Sequence, residues 1–137
     1  MKLPPFVHHA TPDLRTFDEV MRALDMPVQI VAGGTDLFVL MKQGLASPAH
    51  LVSVKNLAEC GGITAGDRWL RIGAAATLSE IGRNSDVGRV VPALRDAVTL
   101  VATEQIRNVA TIGGNLLQSK RCIYYNRSRQ WRETAGP

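Results

Sequence analysis

Apolar and polar positions along this chain switch repeatedly between a helical period and short apolar runs, and each switch marks an element. Phe6-Val7-His8-His9-Ala10 leads through Pro12 into a stretch where Phe17, Val20, Met21 and Leu24 recur at helical spacing. Thr16 and Glu19 read as a capping-box pair at its start, and Pro27 breaks the chain after it. Val28 to Ala32 then reads as a short buried strand running into Gly33-Gly34. Thr35 or Asp36 caps a second helix with Leu37, Leu40 and Met41 inward and Gly44 at its end. His50 to Val54 is a further strand. The opening part of the chain therefore reads as α–β–α–β, with a parallel strand pair joined by a right-handed crossover.

A second unit begins near Gly61-Gly62. Ile63-Thr64 and Trp69 to Ile72 read as a hairpin with Asp67 in its bend. Thr77 and Glu80 form another capping-box pair, opening a short helix to about Arg83. Pro92 starts a longer helix with Leu94, Val98, Val101 and Ala102 spaced for burial. Gln105 to Asn108 link it to an extended segment, Val109 to Ile112, and a second glycine pair, Gly113-Gly114. The fold class expected is α/β, α+β overall. There is no internal repeat and no low-complexity segment.

Composition narrows the picture only a little. The 137 residues hold one ordinary domain or two small ones, and 45% hydrophobic content is that of a globular chain. No apolar run approaches the ~20 residues of a membrane span, and the N-terminus lacks the apolar core of a secretory signal. Cys60 and Cys122 show no pattern of a disulfide framework, which points to the cytoplasm. Lys and Arg balance Asp and Glu up to Ser119, so the net charge of +4 lies in the tail from Lys120 onward. That tail, interleaved with Tyr124, Tyr125 and Trp131, offers one alternative reading: a small basic module stacking on single-stranded nucleic acid. Five cations give only weak, salt-sensitive binding, so nucleic acid ranks as a distant alternative.

The candidate chemistry sits in the two glycine pairs, Ala32-Gly33-Gly34-Thr35-Asp36-Leu37 and Thr111-Ile112-Gly113-Gly114-Asn115-Leu116. A glycine pair can adopt positive φ and admit a ligand close to the backbone, and successive N–H groups there suit a phosphate or pyrophosphate. The G-x-G-x-x-G spacing and the lysine of a P-loop are both absent, which disfavours an ordinary dinucleotide fold. Two turns together favour a nucleotide held between two loops. There is no Ser/His/Asp or paired-carboxylate arrangement, and no catalytic residue is assigned. His8 and His9 point apart in an extended strand and read as solvated or half-buried, and Cys60 as a packing or loop cysteine.

The pair AGGTDL and VATIGGNL, with IGAAATLSEI between them and the opening PPFVHHATPDLRTFDEVMRAL, resembles the FAD-binding subunit of the xanthine dehydrogenase / molybdenum hydroxylase family. The resemblance covers nearly the whole chain. It implies two α/β subdomains with FAD in the cleft between them, here residues 1–58 and 59–118, the second one truncated. By resemblance Val31, Ala32, Gly33, Gly34, Thr35 and Asp36, with Ala110, Thr111, Gly113, Gly114 and Asn115, hold the FAD and its pyrophosphate. Thr77, in the Gly73-Ala74-Ala75-Ala76-Thr77 stretch, lies beside the flavin.

The tail, residues 119–137, is similar to that of 4-hydroxybenzoyl-CoA reductase β subunits, a branch of the family with an inserted loop that binds a four-iron four-sulfur cluster. Cys122 falls where the first of four cysteine ligands belongs, and no further cysteine follows it in the sequence. One thiolate cannot hold such a cluster, so any cluster belongs to a longer subunit. The resemblance further implies an electron-transfer subunit, with partners in a molybdopterin-binding large subunit and a small iron–sulfur subunit carrying two-iron clusters. It implies no membrane association.

Overall fold

A computed structural model describes residues 3–24, 27–119 and 129–134. Three strands, β1 (Val7–Ala10), β2 (Val28–Val31) and β3 (His50–Ser53), form a parallel sheet in the order β1-β3-β2. The parallel β2–β3 pair matches the sequence reading, and β1 joins it as a third strand. The buried strand is β3 rather than β2. Leu51 and Val52 point to opposite faces and both are fully buried, as a central parallel strand requires. On β2 only Val31 is buried and Ile30 stays 47% exposed, because β2 is an edge strand. Across the β1–β3 pair, His9 Nε2 lies 3.1 Å from His50 Nδ1, so the histidines pair with each other.

Helix α1 (Leu14–Ala23) starts three residues earlier than its capping box predicts. The cap is Asp13, whose carboxylate accepts the Thr16 N–H at 2.7 Å, while Glu19 pairs instead with Arg15. Helix α2 (Leu37–Lys42) returns the chain from β2 to β3, and Met41 packs with Val31 and Leu51 in the first core. Gly44, at φ +72°, ends α2, and the Leu45 N–H closes back onto the Leu40 carbonyl.

After a single 3-10 turn at Ala58–Cys60, β4 (Ile63–Ala65) and β5 (Leu70–Ile72) form the expected antiparallel hairpin. Helix α3 (Leu78–Arg83) carries the full Thr77/Glu80 capping box. The chain then adds α4 (Ser85–Val90), capped by Asn84, before α5 (Pro92–Thr99) and the four-residue α6 (Glu104–Arg107). A second core gathers Ala76, Leu78, Ile81, Val87, Val98 and Ala110. Ala102 does not join it. It is exposed and left-handed, at φ +46°, because the chain has already turned out of α5.

The second glycine pair also departs from expectation. Gly113 and Gly114 lie inside α7 (Ile112–Leu117) and neither has positive φ. The reason is local: Thr111 is a good N-cap, and its hydroxyl accepts the Gly114 N–H at 3.2 Å, winding the segment into a helix. In the tail, α8 (Arg129–Thr134) is described, while Cys122, Tyr124 and Tyr125 lie outside the described residues. No helix among the described residues is long and apolar enough to cross a membrane.

Candidate functional site

The two glycine segments meet through backbone. A Cβ built on Gly33 would stand 2.2 Å from the Val109 carbonyl oxygen and 3.1 Å from the Ala110 Cα, so the first turn rests directly on the residues leading into the second. From there the contact continues across the second core by hydrogen bonds. Leu78 N–H donates to the Ala110 carbonyl and Ile112 N–H to that of Ala76, bringing Thr77 and Thr111 side by side. Gly113 N–H donates to the Ala74 carbonyl, and a Cβ on Gly113 would meet that oxygen at 2.8 Å. The Gly73-Ala74-Ala75-Ala76-Thr77 stretch is thus the strut under α7.

The two glycine pairs do different work. Gly34 sits at φ +69°, where a side chain would also run into the Phe38 ring at 2.5 Å. In this turn the N–H groups of Gly33, Gly34 and Thr35 take part in no hydrogen bond among the described residues, and neither does the Thr35 hydroxyl. At the second pair the donors are used: Ile112 and Gly113 reach the strut, Gly114 the Thr111 hydroxyl and Asn115 the Thr111 carbonyl. Thr111 is 2% exposed and acts as a cap. Gly114 differs again. A Cβ there would meet nothing except that hydroxyl, at 3.1 Å, so its bare face is open to solvent.

Of the residues singled out in the sequence, Val31 and Ala110 are buried, and Ala32, Gly33, Gly34, Thr35, Asp36, Thr77, Gly113 and Asn115 are half-buried. Asp36 stands at the N-cap of α2 without a side-chain cap bond, and Asn115 accepts a bond from Gln118. Sequence reasoning passed over Val109, Ala74 and Phe38, whose roles lie in their carbonyls and in ring placement. Only the glycines opposite them gave a signal.

A cleft of about 630 Å³ opens between β4, α3 and the end of α6, lined by Ile63, Thr77, Ser79, Glu80 and Asn108. Of the candidate cofactor residues only Thr77 reaches it. Its polar groups also satisfy one another, since Glu80 takes the Thr77 N–H and O–H and Ser79 donates to Asn108. Among the described residues the first turn, unlike the Thr77/Glu80 and Ser79/Asn108 groups of the cleft, keeps N–H groups without a partner. The residues there fit a pyrophosphate: consecutive N–H groups and a hydroxyl, all without a partner among the described residues. Among the described residues no group of three or more His, Cys, Asp or Glu side chains could hold a metal.

Residues 9–125 match the family described as the FAD binding domain in molybdopterin dehydrogenase. The xanthine dehydrogenase FAD-binding subunit of Escherichia coli O157:H7 is 42% identical over 101 residues, covering 72% of this chain and 35% of that protein. The carbon monoxide dehydrogenase medium chain of Hydrogenophaga pseudoflava is 30% identical over 113 residues, covering 82% of this chain and 39% of that one. The solved carbon monoxide dehydrogenase from Hydrogenophaga pseudoflava superposes with a TM-score of 0.81 at 30% identity, over 85% of this chain and 40% of the other. This chain thus spans between a third and two fifths of the length of these proteins, and its mixed α/β fold matches theirs. On the extent of the family match and the shared fold, the chain belongs to the FAD-binding domain family of the molybdopterin dehydrogenases.

Proposed function

We propose that this chain binds FAD through its first glycine turn, as part of the flavin-carrying electron-transfer component of a molybdenum-dependent oxidoreductase. One observation carries the reading: Gly33, Gly34 and Thr35 present unpaired N–H groups on a turn seated against Val109 and Ala110. Bound there, FAD supplies the redox chemistry. The chain's own residues bind and orient it. The turn donates to the pyrophosphate, and the Thr35 hydroxyl adds a further donor. Thr111 holds α7 in place through its cap, leaving the open face of Gly114 and the Asn115 side chain toward the ligand. Val31, Ala32, Asp36, Ala110 and Gly113 shape the two walls, and Thr77 stands beside the flavin. The walls belong to two subdomains, residues 1–58 and 59–118, each with one of the two cores described above.

The partners of this reading are a molybdopterin-binding large subunit and a small iron–sulfur subunit, in the cytoplasm. Its finer form is a 4-hydroxybenzoyl-CoA reductase-like subunit, supported by the tail sequence from Asn115 to Asn126, in which Cys122 falls where the first cluster ligand of that branch belongs. In a longer subunit, Cys122→Ser should lower iron and acid-labile sulfide per flavin. Equal iron in both proteins removes Cys122 from the site.

The flavin reading is tested by titrating the chain with FAD and, separately, with riboflavin, following flavin fluorescence. FAD is expected to bind and riboflavin, which lacks the pyrophosphate, to bind far more weakly. Failure of FAD to bind overturns the reading, and equal binding of the two overturns the assignment of the turn to the pyrophosphate.

A further inference from the structure

Ala102 is the one non-glycine residue at positive φ among the described residues, at +46°. A Cβ disfavours that conformation, and alanine has no side-chain polar group to offset the cost as Asn or Asp does. Something else must hold it. The Arg107 guanidinium folds back over the turn, and its Nη1 donates to the Val101 carbonyl at 2.8 Å and to the Ala102 carbonyl at 3.2 Å. Arg107 is half-buried and forms no ion pair with a carboxylate among the described residues; these two carbonyls are the guanidinium's hydrogen-bond acceptors.

The other end of α6 sets the flavin wall. Val109 and Ala110 both donate to the Ile106 carbonyl, at 3.1 and 2.7 Å, so their position follows the last turn of α6. Ala110 in turn receives Leu78, and the Val109 carbonyl bears on Gly33. We infer that Arg107 is a positioning residue for the cofactor cradle: by clamping the left-handed turn at Ala102 it fixes α6, and through Val109 the seat of the first glycine turn. The Arg107 guanidinium hydrogen-bonds to no part of the cradle among the described residues. The inference rests on the flavin reading for its consequence, but not for its geometry.

The test uses rescue. Arg107→Gln removes the charged donor, and the expected results are about tenfold faster hydrogen exchange at the Ala110 and Leu78 amides and about tenfold weaker FAD binding, the scale of a lost charge-assisted hydrogen bond. Adding Ala102→Gly, which adopts positive φ without strain, should return both values most of the way to wild type. Unchanged exchange in Arg107→Gln overturns the clamp, and so does a double variant no better than the single one. Should Arg107→Gln fail to fold, the double variant is expected to fold, and its failure also overturns the clamp. The exchange readout needs no ligand. A wild-type chain that binds no FAD therefore sinks the flavin reading while leaving the clamp testable.

Discussion

Gly33 and Val109 meet with no room for a methyl group: a Cβ on Gly33 would lie 2.2 Å from the Val109 carbonyl oxygen. Seventy-odd residues of chain separate them, yet this contact joins the loop after β2 to the segment that opens α7. It is backbone against backbone, so neither side can swing away as a flexible side chain could.

Gly33→Ala is therefore expected to push the two loops apart. Overpacking of this kind costs about 1–3 kcal/mol, and the loss should appear as a lower melting temperature together with reduced FAD binding. An alanine variant with the wild-type melt and full flavin binding would show that the loops do not hold one another.

Gly34 fails for a different reason and should be separable. Its φ of +69° costs a residue with a Cβ about 1–2 kcal/mol, and valine, branched at that carbon, is the worst case. A side chain there also meets the Phe38 ring, which can rotate, unlike a carbonyl. Gly34→Val should abolish flavin binding, and Gly34→Asn, which tolerates positive φ, should keep more of it. Equal loss in the two variants, with both folded, would make side-chain bulk rather than backbone conformation the deciding factor.

How far the chain could be read from sequence follows from where each signal resides. The hairpin, the Thr77/Glu80 box and the helix starting at Pro92 are local, each encoded within a few residues, and each is found in place. The burial of β3 rather than β2 depends on strand order, which pairing partners decide and local sequence does not show. Thr16 looked like a cap because it precedes an apolar period, but Asp13 accepts the Thr16 N–H and starts the helix earlier. The glycine motifs suggested two equivalent turns. That Gly113 serves packing against Ala74 while Gly33 to Thr35 keep free donors depends on contacts with residues far away in sequence.

Asp13 yields a pH prediction. The Thr16 backbone N–H, followed by its side chain, holds the Asp13 carboxyl below the ordinary aspartate value. A carboxyl lowered in the folded state adds stability that is fully present above its unfolded value and is lost as pH falls through the folded one. Asp13→Ala should therefore lower the melting temperature at neutral pH, and the gap to wild type should close as the pH drops below the aspartate range. Asp13→Asn, which still accepts the bond but does not titrate, should stay near wild type at neutral pH and keep its contribution in acid, where wild type loses it. A gap that persists unchanged into strong acid would mean that the carboxylate is not the source of the cap's contribution.

Thr111 decides between a cap and a ligand contact in the second segment. Its hydroxyl accepts the Gly114 N–H at 3.2 Å and is shut away from solvent, so its effect on the cofactor runs through the start of α7. Thr111→Val preserves shape and burial but deletes the acceptor, at a cost of about 0.5–2 kcal/mol for a lost N-cap. Melting temperature and FAD affinity should then fall together, because α7 frays at the end that carries Gly113, Gly114 and Asn115. Thr111→Ser restores the acceptor and should recover both. The decisive readout is the coupling between the two: flavin binding lost at an unchanged melting temperature would place the hydroxyl on the cofactor itself and remove the cap from the argument.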